Sequence, residues 1–133
     1  MNIVKVASHS RPYKVAGAIA GVFREHRRAE VQVIGAGAVN QAVKALIIAR
    51  NYLIQDGYTP IVVPLFVDIE IHGRVRTAVR FVILDVTDVD AVRQVPLHME
   101  LPPDAAAEAG DAQTERPAEG EEAAASTTQD EAA

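Results

Sequence analysis

The chain has 133 residues, a formal net charge of −5 at pH 7 and no cysteine. This length allows one domain of ordinary size. The lack of cysteine excludes a disulfide framework, a thiolate zinc site and a cysteine nucleophile. No apolar run reaches about 18 residues, and Met1–Lys5 already has the pattern of a strand. We therefore expect neither a transmembrane helix nor a signal peptide, and a cytoplasmic protein.

The charge is distributed unevenly along the chain. Residues 1–84 contain 11 Lys and Arg against 5 Asp and Glu, whereas residues 85–133 contain 2 basic and 13 acidic residues. A body with a net charge of +6 therefore precedes a C-terminal segment with a net charge of −11. This asymmetry is more informative about partners than the total charge is.

The residue pattern predicts a strand followed by a helix at the start of the chain. Ile3–Ala7 is a short apolar strand. Ser10 is a suitable N-cap, and Pro12 suits the first helical turn. Apolar residues at helical spacing then continue to about His26, which predicts the end of the helix.

Two features of this helix each allow two interpretations. Gly17 and Gly21 lie one turn apart and predict the close approach of another backbone, either within the fold or across an oligomer interface. Arg24, Arg27 and Arg28 end the helix, where bases suit the negative end of the macrodipole. These arginines are either capping and solvated residues, which we favour, or an interaction patch.

A glycine turn connects the second strand, residues 30–35, to a helix predicted from about Ala38 to Tyr52. Gly35 and Gly37 give the backbone the freedom that such a turn needs. The helix N-terminus behind them could hold an anion. Alternatively, the small residues permit close packing, which we favour because the turn is not G-x-G-x-x-G and lacks a phosphate-binding lysine.

Two alternating stretches, Ile61–Ile71 and Val75–Ile83, predict a β-hairpin. Pro64 cannot donate to a ladder, so it marks an edge position or a bulge. A three-residue loop, His72-Gly73-Arg74, keeps the apolar faces of the two strands together. The expected pairs are then Ile71 with Val75, Val67 with Val79, and Glu70 with Arg76.

The C-terminal third has weaker patterns. Residues 85–101 could form a short helix or an extended segment. Residues 102–133 are rich in Ala and Glu and contain no aromatic and no β-branched aliphatic residue, so we expect a disordered acidic tail. The predicted organisation is a domain at residues 1–86, a partly ordered extension at 87–101 and the tail at 102–133. The domain is predicted to be a two-layer α/β fold with the order β-α-β-α-β-β.

Several stretches together form a specific combination. They are Lys5-Val6-Ala7, Ser10-Arg11-Pro12, VAGAIAGVFRE at residues 15–25, AEVQVIGAGAVNQAVKA at 29–45, Ile48-Ala49-Arg50 and the strand Pro64–Ile71. This combination resembles the stage V sporulation protein S family, a small bacterial family with an Alba-like domain. The resemblance covers about residues 1–86 and leaves the acidic tail outside.

The resemblance implies the same element order, a homodimer or higher homo-oligomer, and nucleic-acid binding. The family is implicated in late spore development, which implies a sporulation- or development-related regulatory role. Alba proteins bind DNA or RNA as dimers through a basic loop before the first helix, the turn before the second helix, and the hairpin.

Eight residues in or near these three regions are the candidates for nucleic-acid binding. The bases would contact phosphates, the two amide side chains would donate hydrogen bonds, and the tyrosine could stack on a base. They are Arg11, Tyr13, Lys14, Asn40, Gln41, Lys44, Arg74 and Arg76. The candidates for the oligomer interface are Gly35, Gly37, Val39 and Val43.

Enzymatic function is not favoured. The four histidines show no metal-ligand spacing, and no Ser-His-carboxylate set is evident. Asp68 and Glu70 share a strand face, but their expected partners are Arg76 and Arg80 across the hairpin. We therefore expect no catalytic residue, no metal site and no cofactor.

Two functions remain open. The first is a nucleic-acid-binding, Alba-like dimer that binds no membrane and whose acidic tail competes for the basic surface at high effective concentration. The alternative is a protein-interaction or scaffold module without physiological nucleic-acid binding.

Overall fold

The computed structural model describes residues 3–95 and Leu101. The tail predicted at residues 102–133 and most of the extension after Val95 lie outside the described residues. The elements are β1 (Ile3–Lys5), α1 (Pro12–His26), β2 (Arg28–Val33), α2 (Ala36–Gln55), β3 (Pro60–Ile71), β4 (Arg74–Asp85) and α3 (Val89–Arg93).

The four strands form one mixed sheet in the order β1-β2-β4-β3. β1 and β2 are parallel, whereas β4 pairs antiparallel with both β2 and β3. The predicted β-α-β-α-β-β order and the α/β class are confirmed. Pro64 lies in β3, which is an edge strand, so its missing N–H can face away from the ladder as expected.

The core lies between one face of the sheet and the two long helices. Ala29, Val31 and Val33 alternate along β2 and point towards α1 and α2, where they are buried. α1 contributes Ile19 and Phe23, both fully buried, to the same cluster. The alternation of β2 and the helical spacing of α1 therefore dictate the main packing layer.

The opposite face of the sheet is covered at one end by α3. Val82 and Leu84 of β4 are buried there together with Val95. Asp88 caps α3, because its Oδ1 accepts a hydrogen bond from the Ala91 N–H at 3.1 Å. The rest of this surface, which we call the open face, has neither long helix packed against it.

The structure corrects the predicted role of Ser10. Arg11, not Ser10, occupies the N-cap of α1 and makes no side-chain capping hydrogen bond. Ser10 Oγ instead accepts a hydrogen bond from the Ala7 N–H at 2.9 Å, so the hydroxyl closes the loop before the helix. The strand and helix bounds shift slightly: β1 ends at Lys5, and α2 is longer than predicted at both ends.

The predicted hairpin register is wrong. Ile71 pairs with Arg74, and Glu70 pairs with Val75, across a two-residue loop. Both loop residues have positive φ, 52° at His72 and 78° at Gly73, the combination typical of a type I′ hairpin turn. Burial of the apolar side chains does not favour the predicted register here. The pairing of β4 with β2 begins only at Val79, and residues 74–76 are exposed.

The two glycines of α1 meet nothing within the described part of the chain. A Cβ added at Gly17 or at Gly21 would have no neighbouring atom within 4 Å, and both residues are exposed. The expectation of a close approach within the fold is therefore wrong for the residues that the structure describes. An approach across an oligomer interface stays a prediction.

Candidate functional site

A cleft of about 850 Å³ lies where the parallel strands β1 and β2 end. In open α/β sheets, ligands bind in the crevice beyond the carboxyl ends of the strands. Four segments line the cleft: β1 with the loop that follows it, the end of β2, the first residues of α2, and the end of β3. The lining includes Lys5, Ser8, His9, Gln32, Gly35, Gly37, Ile69, Glu70 and Ile71.

The loop after β1 packs directly against the first turns of α2. A Cβ added at Gly37 would lie 2.9 Å from Ser8 Cβ, so no larger residue fits without movement of the loop. One turn further along α2, Gln41 Nε2 donates a hydrogen bond to Ser10 O at 2.7 Å. Gly35, at φ 95°, is the N-cap residue of the helix. These contacts support the interpretation of the glycine turn as a close-packing device.

The predicted nucleic-acid residues fall into three groups along the chain, and none of them lines the cleft. Arg11, Tyr13 and Lys14 are exposed at the start of α1, with 72% of the Tyr13 surface accessible. On α2, Asn40 and Lys44 are exposed, whereas Gln41 uses its amide N–H group within the chain. Arg74 and Arg76 are exposed at the start of β4.

The four residues predicted for an oligomer interface lie in different environments. Gly35 and Gly37 line the cleft, and Gly37 packs against Ser8 of its own chain. Val39 is half-buried and packs against the core. Val43 is 41% exposed on α2. The four therefore do not form one continuous outward surface.

The arginines at the end of α1 make contacts within the chain. Arg24 Nε lies 2.7 Å from Asp56 Oδ2. Arg27 is the C-cap residue of α1, and its guanidinium lies 4.9 Å from the centre of the Tyr58 ring. Arg28 Nη2 lies 2.9 Å from Glu30 Oε2. These contacts favour the structural interpretation of the three arginines.

The ion pairs predicted across the hairpin are absent from the described residues. Asp68 lies opposite Thr77, and Glu70 lies opposite Val75. Arg80 pairs instead with Glu30, with 3.5 Å between Nη1 and Oε1, and donates a hydrogen bond to Gln32 Oε1. The predicted partners of Asp68 and Glu70 were wrong because the register of the hairpin differs from the predicted one.

Asp85 is a buried carboxylate at the end of β4 and was not among the residues predicted from the sequence. Its Oδ1 accepts hydrogen bonds from the Thr87 N–H at 3.0 Å and the Thr87 hydroxyl at 2.8 Å. These bonds to Thr87 lower the pKa of Asp85, with a smaller contribution from the nearby Arg27 charge. The group holds the turn after β4 and lies outside the cleft lining.

Several residues that line the cleft were not predicted from the sequence. Lys5, His9, Gln32, Ile69 and Ile71 all border it, although none was a candidate. Lys5 and Gln32 are partners across the β1–β2 pair, and both lie at the carboxyl ends of these parallel strands. The rule that ligands bind beyond the carboxyl ends of parallel strands could have identified them. Ile69 and Ile71 carried no comparable signal, because their approach depends on the shape of the hairpin.

Two further observations concern the residues that the structure describes. Among them, no group of three or more His, Cys, Asp or Glu side chains is arranged to hold a metal ion. Within the same part of the chain, no helix combines the length and the apolar character that crossing a membrane requires.

The fold and the cleft belong to the part of the chain that matches a known family. The model of the family described as Stage V sporulation protein S matches residues 2–86, which include β1 to β4, both long helices and every residue of the cleft. Because this match covers more than half of the chain, the chain belongs to the stage V sporulation protein S family, and its membership supports a sporulation-related role.

Proposed function

We propose that this protein binds nucleic acid, without catalysing a reaction on it, as part of its sporulation-related role. One observation carries the proposal. The loop after β1, the turn before α2 and the β3–β4 hairpin are far apart in the sequence, yet all three border one cleft. The resemblance implies these same three regions as the nucleic-acid-binding parts of an Alba-like domain, and the Alba-like relationship belongs to the same proposal.

The unpaired bases of the domain support an anionic ligand. Arg24, Arg28 and Arg80 have carboxylate partners in the chain. By contrast, eight exposed bases form no ion pair with any residue in the described ranges. Five of them are predicted nucleic-acid residues, namely Arg11, Lys14, Lys44, Arg74 and Arg76, and the other three are Lys5, Arg50 and Arg93. Bases without a carboxylate partner can release counterions from a phosphate backbone, which is the main source of non-specific affinity.

An exposed apolar surface on α2 supports the proposed self-association. Val43, Ile47 and Ile54 are 41%, 58% and 44% exposed. Their spacing of four and seven residues places them along one side of the helix. Burial of such a stripe against a second copy is favourable at about 25 cal/mol per Å² of apolar surface. The same stripe also suits a protein partner, which is the observation that keeps the protein-interaction function as the second candidate.

The acidic tail is proposed to weaken binding by competition. Residues 102–133 contain nine acidic residues and one basic residue. A tethered polyanion acts at a high effective concentration, in the millimolar range for short flexible linkers. It would therefore compete with nucleic acid for the bases of the body.

The proposal is tested by titrating labelled DNA and RNA with the full chain at several salt concentrations. We expect binding at low salt that weakens steeply as salt rises. Arg11→Ala and Arg74→Ala should each reduce the affinity and lower the salt slope by about one. Arg50→Ala is the matched control, because Arg50 is an exposed base on the distal half of α2. Absence of binding at low salt would exclude the proposed function.

The second candidate makes a different prediction. A complex with a protein partner bound to the apolar stripe of α2 should persist at high salt, because the burial of apolar side chains does not depend on charge. The partner should co-purify with the chain at a fixed stoichiometry. Ile47→Asp should abolish this co-purification, whereas Arg74→Ala should leave the co-purification unchanged.

A further inference from the structure

The β3–β4 hairpin separates its charges onto opposite faces. Cross-strand partners point to the same face of a sheet. The observed register pairs Ile69 with Arg76 and Ile71 with Arg74, so apolar and basic side chains share one face. The acids Asp68 and Glu70 alternate with Ile69 and Ile71 along β3 and point to the other face. Under the predicted register, Glu70 would instead have faced Arg76.

The basic face of the hairpin continues the open face of the sheet. Val31 and Val33 point to the helices, so their neighbours Glu30 and Gln32 point to the open face, as do Lys5 and Arg80, which flank Gln32. Among the described strand residues of this face, Glu30 is the one acid. It is already engaged by Arg28 and Arg80. The open face is therefore electropositive, with Lys5, Arg74 and Arg76 lacking a carboxylate partner in the described chain.

One end of the open face forms part of the cleft. β1 and β3 lie at opposite edges of the sheet, yet Ile3 and Lys5 of β1 line the same cleft as Ile69 and Ile71 of β3. Both strands of the hairpin are 12 residues long, and the end of β3 reaches the cleft. The cleft of about 850 Å³ has the size of a pocket for a small molecule. Its walls are mostly aliphatic, with Lys5 and His9 on the β1 side.

We propose that this cleft binds single-stranded nucleic acid in preference to duplex, an inference that rests on the proposed function. An unpaired base would lie against Ile3, Ile69 and Ile71, while flanking phosphates contact Lys5, Arg74 and Arg76. A duplex presents only base edges in its grooves, whereas a single strand exposes whole base faces that apolar side chains can cover. Glu70 also lines the cleft, but it alternates with Ile69 and Ile71 along β3 and points to the other face of the hairpin.

The test measures fluorescence anisotropy of three labelled probes with the full-length protein. The probes are a single-stranded RNA of about 12 nucleotides, the single-stranded DNA of the same sequence, and its duplex. We expect at least one single-stranded probe to bind about tenfold or more tightly than the duplex. Ile71→Ser should weaken single-strand binding about three- to tenfold, because it removes apolar surface that would cover a base.

Two variants separate the base contact from other effects. Val75→Ser is the matched control, because Val75 is 69% exposed on the opposite face of the same hairpin. It should change affinity less than twofold. Arg76→Gln should weaken binding and reduce its salt dependence. Thermal melting of each variant tests whether the domain stays folded after the substitution.

The outcomes distinguish this inference from the proposed function. Equal or tighter binding of the duplex, or equal affinities of Ile71→Ser and Val75→Ser, would overturn the single-strand inference while nucleic-acid binding stands. No binding of any probe at low salt would overturn both. Preference for a single-stranded probe together with a selective loss in Ile71→Ser supports the inference.

Discussion

At the scale of single residues, the contact between Gly37 and Ser8 fixes the geometry of the cleft. The missing Cβ of Gly37 would lie 2.9 Å from Ser8 Cβ, an atom attached directly to the backbone. Gly37→Ala should therefore push the loop away from α2 and lower the free energy of unfolding by about 1–3 kcal/mol, as overpacking usually does. Chemical denaturation measures this change.

The same substitution in α1 serves as the control for Gly37. Gly17 and Gly21 have open space around the added methyl group, so Gly17→Ala and Gly21→Ala should each stabilise the helix by about 0.5–1 kcal/mol. Equal stability of Gly37→Ala and Gly17→Ala would contradict the close-packing interpretation of the turn before α2.

Asp85 should make the free energy of unfolding depend on pH. Its side chain is 5% exposed, and its bonds to Thr87 hold the pKa of the folded state below the ordinary value of about 3.9. The stabilisation is therefore complete above roughly pH 5 and is lost as the pH falls through the lowered pKa. Asp85→Asn should cost about 1.5–3 kcal/mol at pH 7 and less at pH 3, which lies below the ordinary carboxyl pKa.

Urea unfolding at both pH values tests the role of Asp85. The control is Asp68→Asn, because Asp68 is exposed and its contact with Thr77 Oγ1 is long, at 3.4 Å. Its effect should stay within about 0.5 kcal/mol at either pH. A destabilisation of Asp85→Asn that is the same at pH 7 and pH 3 would rule out the ionised hydrogen bonds as its cause.

At the scale of elements, the local signals at the ends of α1 could be read from the sequence, whereas the register of the hairpin could not. Pro12 sets the start of α1, and its apolar stripe extends to the observed end at His26. The apolar alternation of β3 and β4 correctly predicted the two strands but favoured the wrong register. Between the turn and Val79, β4 has no pairing with β2, so burial does not decide the register there. The turn at His72-Gly73 decides it instead.

The turn can be tested by changing the residue with an unfavourable backbone conformation. His72 has φ 52°, a left-handed conformation that Asn and Gly adopt more easily than most residues. His72→Asn should raise the thermal midpoint, and His72→Val should lower the free energy of unfolding by about 1–2 kcal/mol. Nuclear Overhauser contacts between Glu70 and Val75 should persist in both variants. Contacts between Ile71 and Val75 as direct partners would instead indicate the three-residue loop.

At the scale of the whole molecule, the sequence could predict which regions carry charge but not which of them meet. The contact of Gln41 with Ser10 joins positions 31 residues apart, and the cleft joins β1 to the far edge strand β3. The small residues of the glycine turn indicate close packing, but no local pattern tells which distant segment packs there. The basic candidates on loops and on the hairpin were therefore identifiable, and the end of β1 could have indicated Lys5. Ile69 and Ile71 became identifiable only in the fold.

The balance between body and tail gives the last prediction. The first 101 residues contain 12 basic and 9 acidic residues, so a chain ending at Leu101 carries a net charge of +3 in place of −5. This shortened chain should bind labelled nucleic acid more tightly at low salt, because the competing polyanion is absent. The difference should shrink as salt rises, since screening weakens the tail and the ligand alike.

A second variant separates the charge of the tail from its length. It keeps all 133 residues and replaces the nine acids of residues 102–133 with Gln or Asn. If the tail acts through charge, this variant should bind as tightly as the shortened chain, and circular dichroism should show both folded like the full chain. Affinity equal to that of the unaltered chain at low salt would exclude the tail as a competitor. A gain on deletion alone would assign the effect to steric exclusion by the tail.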